Sequence, residues 1–515
     1  LQHNAFISAE EIDFKNIKAT NDNYGLSSPN ARCAYQDCYG NIWIGNYRGG
    51  IDFISHTQPM FNILPYTIET AKGLSYKQVW GMWATDNQVW LGSEDELGLF
   101  INRKKIKTYD LYSHELVYNT HINTIYEDRQ KRLWLGTYKN GILLYKPDKQ
   151  EIVHISSSLF NNLDVRCFYE DQNGKMWIGT ETGIYSCTNE VLVKEEEIQK
   201  QLPDIMVHSL LRDKEGKLWV GTFGKGISIF DVNNKLLWNF VIENGFCSNA
   251  VNHMIKDSEE QIWVATREGL AVFKNTSQPN RYKIFKEKEG LENSHIRAIC
   301  EDLEKRIWIS SNDGISCLDP KQNLFYNYNH HDGVPMGDFM NGSTCMTHNG
   351  IIYFGSQNGA CFFNPKELSS IRQVSPVKIT QFCKYNKKTE SKDAEISIPF
   401  KKGVVHLPYN QNSFRITFNV LDYTQSPQVE FTYMLEGLEN RWYDTQGENQ
   451  VIFRNIPPGK YNFKVRTRIR NQEWDKEIAS LNIFIAPPLW LTWYAKLGYV
   501  ILFIFALYAL LRFYK

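Results

Sequence analysis

One phrase recurs along this chain: Asp-x-x-Gly-x-x-Trp-x-Gly-Thr. It is cleanest at residues 171–180 and again at 213–222. The aromatic returns at Trp43, Trp90, Trp134, Trp177, Trp219, Trp263 and Trp308, with Tyr353 in the same slot, at spacings of 47, 44, 43, 42, 44, 45 and 45 residues. A fixed period of this size marks a repeat architecture, in which each unit buries its apolar face against its neighbours.

Within one unit, a β-rich apolar run (residues 122–126) is followed by a polar turn holding Asp and often Gly. A second strand surrounds the Trp, a Gly-Thr or Gly-Ser turn leads to a third (141–145), and a fourth usually follows (238–242). Short alternating runs punctuated by Gly, Asn and Asp predict antiparallel hairpins. Four strands in about 40–45 residues make one propeller blade. The repeated Trp then reads as packing between blades, and the repeated Asp as a turn residue bonding its own backbone rather than a catalytic acid.

The fold class is therefore all-β. Residues 1–30 hold a strand-like piece (12–17) and a Gly-Leu-Ser phrase that returns at 73–75, so they read as the remnant of a preceding blade and the chain as a fragment. Two closures exist for the units after residue 31. Either all eight form one ring, or 76–367 makes seven blades and 31–75 belongs to a preceding propeller or an extra blade. Seven is favoured and eight is left open. The last unit ends at Phe363-Asn364-Pro365 without a fourth strand, so an earlier strand must close the ring.

After Pro365 the period stops. Residues 376–486 alternate apolar and polar positions, as at 414–418 and 431–435, with a Pro-Pro-Gly turn at 457–459 before a strand at 461–466. This predicts an immunoglobulin-like β-sandwich. Residues 490–512 form an apolar run long enough to cross a bilayer core of ~30 Å as a helix. Trp490, Trp493 and Tyr494 flank one end, and Phe513 and Tyr514 the other, as interfacial aromatics do. Arg512 and Lys515 place the C-terminus in the cytoplasm.

Charge is balanced, 57 basic against 57 acidic residues, which removes the electrostatic footprint of a nucleic-acid partner. The ten cysteines include no Cys-x-x-Cys pair, so no metal site is expected; Cys33, Cys167 and Cys300 suit small buried thiols in the first strands of their units. No cofactor and no catalytic residue is assigned.

These features together resemble the extracellular sensor half of Bacteroides-type hybrid two-component systems, with their two-component regulator propeller repeats. The closing unit at 350–356 and 363–365 is similar to that family's last repeat. The sandwich resembles the domain named for its three tyrosines, through residues 433–438, Trp442, residues 457–461 and Arg466. Residues 487–495 match the junction into the membrane helix. The resemblance implies an inner-membrane sensor of glycan fragments, periplasmic over 1–489 and homodimeric, whose kinase domain is not among these residues.

Five residues before each turn Asp, or its equivalent, stand Arg32, Trp80, Asn123, Arg166, His208, Asn252 and Arg297, each preceded mostly by an apolar residue. A ring of such side chains converging on a propeller channel suits a sulfated, uronic or neutral oligosaccharide. The other reading is that these residues solvate the channel or tie neighbouring blades. Three further functions compete with ligand sensing. A glycan-active enzyme needs a unique carboxylate pair, whereas Asp repeats here in blade after blade. A quinone-cofactor dehydrogenase needs a calcium cluster that the sequence does not offer. A protein-binding scaffold needs no sequence signature at all.

Overall fold

The computed structural model describes residues 26–55, 60–64, 78–94, 96–102, 104–111, 121–155, 163–368, 376–384, 395–396, 404–421, 429–469 and 474–514. The strand-like piece at 12–17 and the phrase at 73–75 lie outside them. The chain divides into two compact units: residues 59–371, and residues 1–58 together with 372–515.

The first unit is a ring of seven four-stranded antiparallel sheets. Their innermost strands are Gly81–Ala84, Ile122–Glu127, Val165–Glu170, Val207–Arg212, Val251–Lys256, Ile296–Glu301 and Phe339–Met346. Each touches the innermost strand on either side, and the first and last also touch each other. The ring closes as its missing strand requires. Asn62–Leu64, upstream of the first blade, pairs antiparallel with Gly359–Phe363 and completes the seventh sheet. The Val79 N–H also donates to the Ser356 carbonyl at 3.0 Å, linking the first blade to the last.

Each residue of the repeated phrase has a mechanical role. In five blades the turn Asp accepts two backbone N–H bonds at one oxygen, as Asp171 does from Asn173 and Lys175. Its other oxygen takes the indole N–H of the Trp six residues on, at 2.8–3.1 Å from Trp134 to Trp308. The bonded Trp then packs on the next blade: Trp134 on Phe168, Trp219 on Phe273 and Trp308 on Phe363. The Gly after it makes room for that neighbour. A Cβ on Gly179 would overlap Cys167 Sγ and lie 2.8 Å from Val207 Cγ1 of the following blade. The conserved shape of the phrase is thus a hairpin lock plus a blade-to-blade wedge.

Upstream, Ala31–Gln36, Ile42–Asn46 and Gly50–Ile54 form a separate three-stranded sheet carrying the same Asp37–Trp43 bond, at 3.0 Å. Cys33 there is exposed, against the expectation of burial, since no blade flanks this sheet among the described residues. Burial does push the Cys167 and Cys300 thiols up, to about 12.

The second unit contains the sandwich. A four-stranded sheet holds Val377–Lys384 and Phe414–Val420 at its centre, and a five-stranded sheet is centred on Gly459–Ile469. Inward positions alternate along Phe414–Val420, and Phe382, Phe414, Phe418 and Phe463 are fully buried in the shared core. The Tyr461 hydroxyl donates to the Pro457 carbonyl at 2.8 Å, fixing the Pro-Pro-Gly corner. The sequence does not announce one pairing: Val404–Leu407 runs parallel to the last strand, Ala479–Ile485. The helix begins later than its apolar run, spanning Trp493–Tyr514 after a 3-10 turn at Leu489–Leu491. Pro487 and Pro488 cannot donate backbone bonds, and the Lys496 N–H is bonded to the Thr492 carbonyl. Its 22 residues, none buried, make it long and apolar enough to cross a bilayer.

Candidate functional site

The ring positions share a backbone device. Where each innermost strand begins, the pairing slips by one residue, between 165 and 167, 207 and 209, 251 and 253, and 296 and 298. The unpaired residues are Arg166, His208, Asn252 and Arg297. Asn123 occupies the same place between Ile122 and Thr124, and Trp80 lies just ahead of Gly81, its N–H on the Gly92 carbonyl at 3.2 Å. A β-bulge re-aims the side chain it leaves unpaired. The preceding residues Val79, Ile122, Val165, Val207, Val251 and Ile296 are all fully buried, which fixes the bulges in place.

Six of the seven expected residues are therefore brought to equivalent places around the channel. Arg32 is not. It sits in the separate three-stranded sheet, its guanidinium 4.9 Å from the Tyr47 ring centre. The seventh blade supplies a different element. Between Phe339 and Thr344 its inner strand bulges widely, and Gly342 there takes φ +66°. A Cβ at Gly342 would lie 3.6 Å from His253 Cδ2 and 4.0 Å from the Asn252 carbonyl, so this bulge reaches the fifth blade. Thr347 replaces the turn Asp in this blade, and counting five back from it would have found Gly342.

The ring residues divide by what already holds them. The Asn123 amide donates to Asp164 at 2.6 Å and to the Val165 carbonyl at 3.1 Å, and the Asn252 amide donates to the Ile296 carbonyl at 2.6 Å. Both staple a blade to the next one. Arg297 is held on three sides, by Asn312 (2.8 Å), Asn341 (3.1 Å) and Asp338 (3.2 Å). Arg166 pairs with the buried Asp164. Burial pushes that carboxyl up to about 6, against the pull of Arg166. His208 stacks 5.0 Å from Phe223, and burial together with Arg166 pushes its imidazole down to about 4, so it is neutral at pH 7. Arg267 covers the other partner of that stack, 4.5 Å from the Phe223 ring centre.

Four buried atoms of this group find no hydrogen-bond partner among the described residues: Trp80 Nε1, Arg166 Nε, Asn252 Oδ1 and His295 Nε2. Unpaired buried polar atoms are rare, and these four come from four different blades. The arrangement places aromatic rings, N–H donors and an amide acceptor near the bulged starts of the inner strands, which can bind a polar ligand. Asp164, Asp338, Arg267 and His295 lay outside the sequence reading because it counted a single place per blade: Asp164 and His295 each stand two residues before a ring residue, and Arg267 directly follows the Thr of its phrase. Among the described residues no group of three or more His, Cys, Asp or Glu could hold a metal ion.

Residues 117–139, 158–182 and 201–224 match the two component regulator propeller family, and residues 422–486 match the Y_Y_Y domain family. The chain is similar to the solved extracellular domain of a hybrid two component system from B. thetaiotaomicron: 40% identity and TM-score 0.83, over 92% of this chain and 64% of that one. The extracellular domain of another hybrid system from that organism shares the fold, at 19% identity and TM-score 0.52, over 94% of this chain and 66% of that one. The curated protein "Histidine kinase P4" of Formosa agariphila is 25% identical, over 78% of this chain and 34% of that protein. The chain thus spans about a third of that curated relative and under two thirds of the first solved structure.

Proposed function

We propose that this chain, built of two component regulator propeller repeats followed by a Y_Y_Y domain, is the ligand-sensing portion of a transmembrane hybrid histidine kinase. The ligand in this reading is an oligosaccharide released by glycan breakdown. Residues 1–489 lie in the periplasm, the helix crosses the inner membrane, and two chains associate so that their helices run side by side. The observation that carries the reading is the bulge ring: five blades each leave one polar side chain out of the ladder where the inner strand begins, and Trp80 stands at the corresponding place in a sixth.

The signal has a short way to travel from sandwich to membrane. Ala479–Ile485 is a central strand of the sandwich and leads through the two prolines into the helix. The Ala486 N–H bonds the Leu407 carbonyl at 2.8 Å, and Tyr409 meets Trp490 edge to face at 5.3 Å. A tilt of the sandwich is therefore handed to the helix rather than lost in a linker. Ligand shifts the equilibrium only through unequal affinity for two arrangements.

Gly498 offers a probe, since a side chain added there meets nothing within 4 Å. In membranes, Gly498→Cys in a chain with Cys33 and Cys38 replaced by Ser should cross-link between two copies. The yield should change when an oligosaccharide that binds the ectodomain is added. An unchanged yield at saturating ligand, or no cross-link at all, contradicts the reading.

A further inference from the structure

We infer that the channel mouth takes a neutral, hydroxyl-rich oligosaccharide and discriminates against carboxylated or sulfated ones. The inference rests on the sensor reading above and chooses among the ligand chemistries that reading leaves open.

The first reason is that the ring cations are already engaged. Arg166 pairs with Asp164, and Arg297 is held by Asn312, Asn341 and Asp338. An acidic ligand must displace one of these carboxylates or stay buried without a counter-charge, which is strongly unfavourable. His208 supplies no charge, because burial holds it neutral at pH 7. Arg267 adds a positive charge that acts on His208, His295 and Arg297, and carboxylates offset it: Glu181 acts on Asp164, Asp204 on His208 and Asp338 on His295. Built-in like charge of this kind rejects anions.

The second reason lies in the open atoms. Asn252 is 2% exposed, and its Oδ1 is an acceptor with nothing donating to it. Only a donor satisfies it. A hydroxyl both donates and accepts, whereas a carboxylate or sulfate standing in a hydroxyl's place offers acceptors alone. Trp80 Nε1 and Arg166 Nε are open donors on other blades. A sugar hydroxyl can satisfy either kind of atom, donating to the Asn252 oxygen or accepting from the Trp80 and Arg166 N–H groups. Leaving a buried polar atom unpaired is unfavourable, so the wrong chemistry is penalised at each.

The test is calorimetry on the complete chain in lipid nanodiscs. The probes are neutral oligosaccharides (xylo-, manno-, arabino- and galacto-series) and acidic ones (oligogalacturonates and chondroitin sulfate fragments). A neutral series should bind with affinity that changes less than twofold between 50 and 300 mM NaCl. Asn252→Leu and Trp80→Phe should each weaken it at least tenfold. Trp80→Phe removes the indole N–H and keeps an aromatic ring, so it stays informative if the Asn252 variant does not fold. Arg267→Gln should change it less than threefold. Binding of the acidic series alone, falling with salt and lost in Arg267→Gln, overturns this inference and leaves the sensor reading standing. Binding of neither series overturns both.

Discussion

The sheet around Trp43 and the blade around Trp177 carry the same phrase but have different environments. Both hold their Trp with the turn Asp, at 3.0 and 3.1 Å, and both slip register at the same place, by Arg32 and by Arg166. Yet no residue of the Trp strand Ile42–Asn46 is buried, while every residue of the equivalent strand Met176–Thr180 is buried. A Cβ on Gly45 would strike only Cys33 of its own hairpin. One on Gly179 would strike Cys167 and the next blade's Val207. The phrase writes a hairpin by itself, and the neighbouring blade then turns that hairpin into core.

Four outcomes sharpen or break that contrast, starting with the largest. Trp219→Ala removes a fully buried ring wedged on Phe273 and should lower propeller stability by ~3–5 kcal/mol. Trp43→Ala, in a sheet whose second strand is only partly buried, should cost about 1 kcal/mol. Equal losses by chemical denaturation would break the comparison. Asp171→Ala strands the buried Trp177 indole and two turn N–H groups, and should cost ~1–3 kcal/mol with a blue shift of tryptophan emission. Gly179→Ala overpacks two blades and should cost ~1–3 kcal/mol, against a smaller loss for Gly45→Ala.

The smallest effect is a pH dependence. Burial pushes His208 and His253 down to about 4. The unfolded chain takes up those protons near pH 6.5, so the stability they permit is full above that pH and lost as pH falls toward 4. Asp164, raised to about 6, acts in the opposite direction: its contribution falls as pH rises from about 3.8 to 6. Two histidines outweigh one carboxyl, so the denaturation midpoint should fall between pH 7 and 4.5. His253→Gln should shrink that fall, and an unchanged fall would remove His253 from the account.

Much of the fold was legible because it is local and repeated. The period located the blades, Asp and Gly located the hairpins, and the missing fourth strand after Phe363 foretold the pairing with Asn62–Leu64. The parallel strand Val404–Leu407 was not legible, since its partner lies some 78 residues away and pairing direction leaves no mark in alternation. The site was half legible. Counting from the turn found the bulged residues, because a bulge keeps a fixed distance from its hairpin. The same count missed Arg267 and His295 because it looked at one place per blade, whereas His295 stands seven residues before its turn Asp and Arg267 four after its Trp. It also recruited Arg32, whose phrase differs only in ending on Asn46 but whose sheet stands outside the ring. Period identifies a position within a blade, and only coordinates say which blades share a channel.

The central claim is that ligand enters where the inner strands bulge. Amide hydrogen exchange on the complete chain in nanodiscs, with and without a bound oligosaccharide, tests it most directly. The account predicts slowed exchange at the starts of the inner strands, around Trp80, Arg166, His208 and Asn252, and in the seventh-blade bulge near Gly342. Protection confined to the opposite end of the blades, at the turns of Asp128, Asp171 and Asp257, would contradict it.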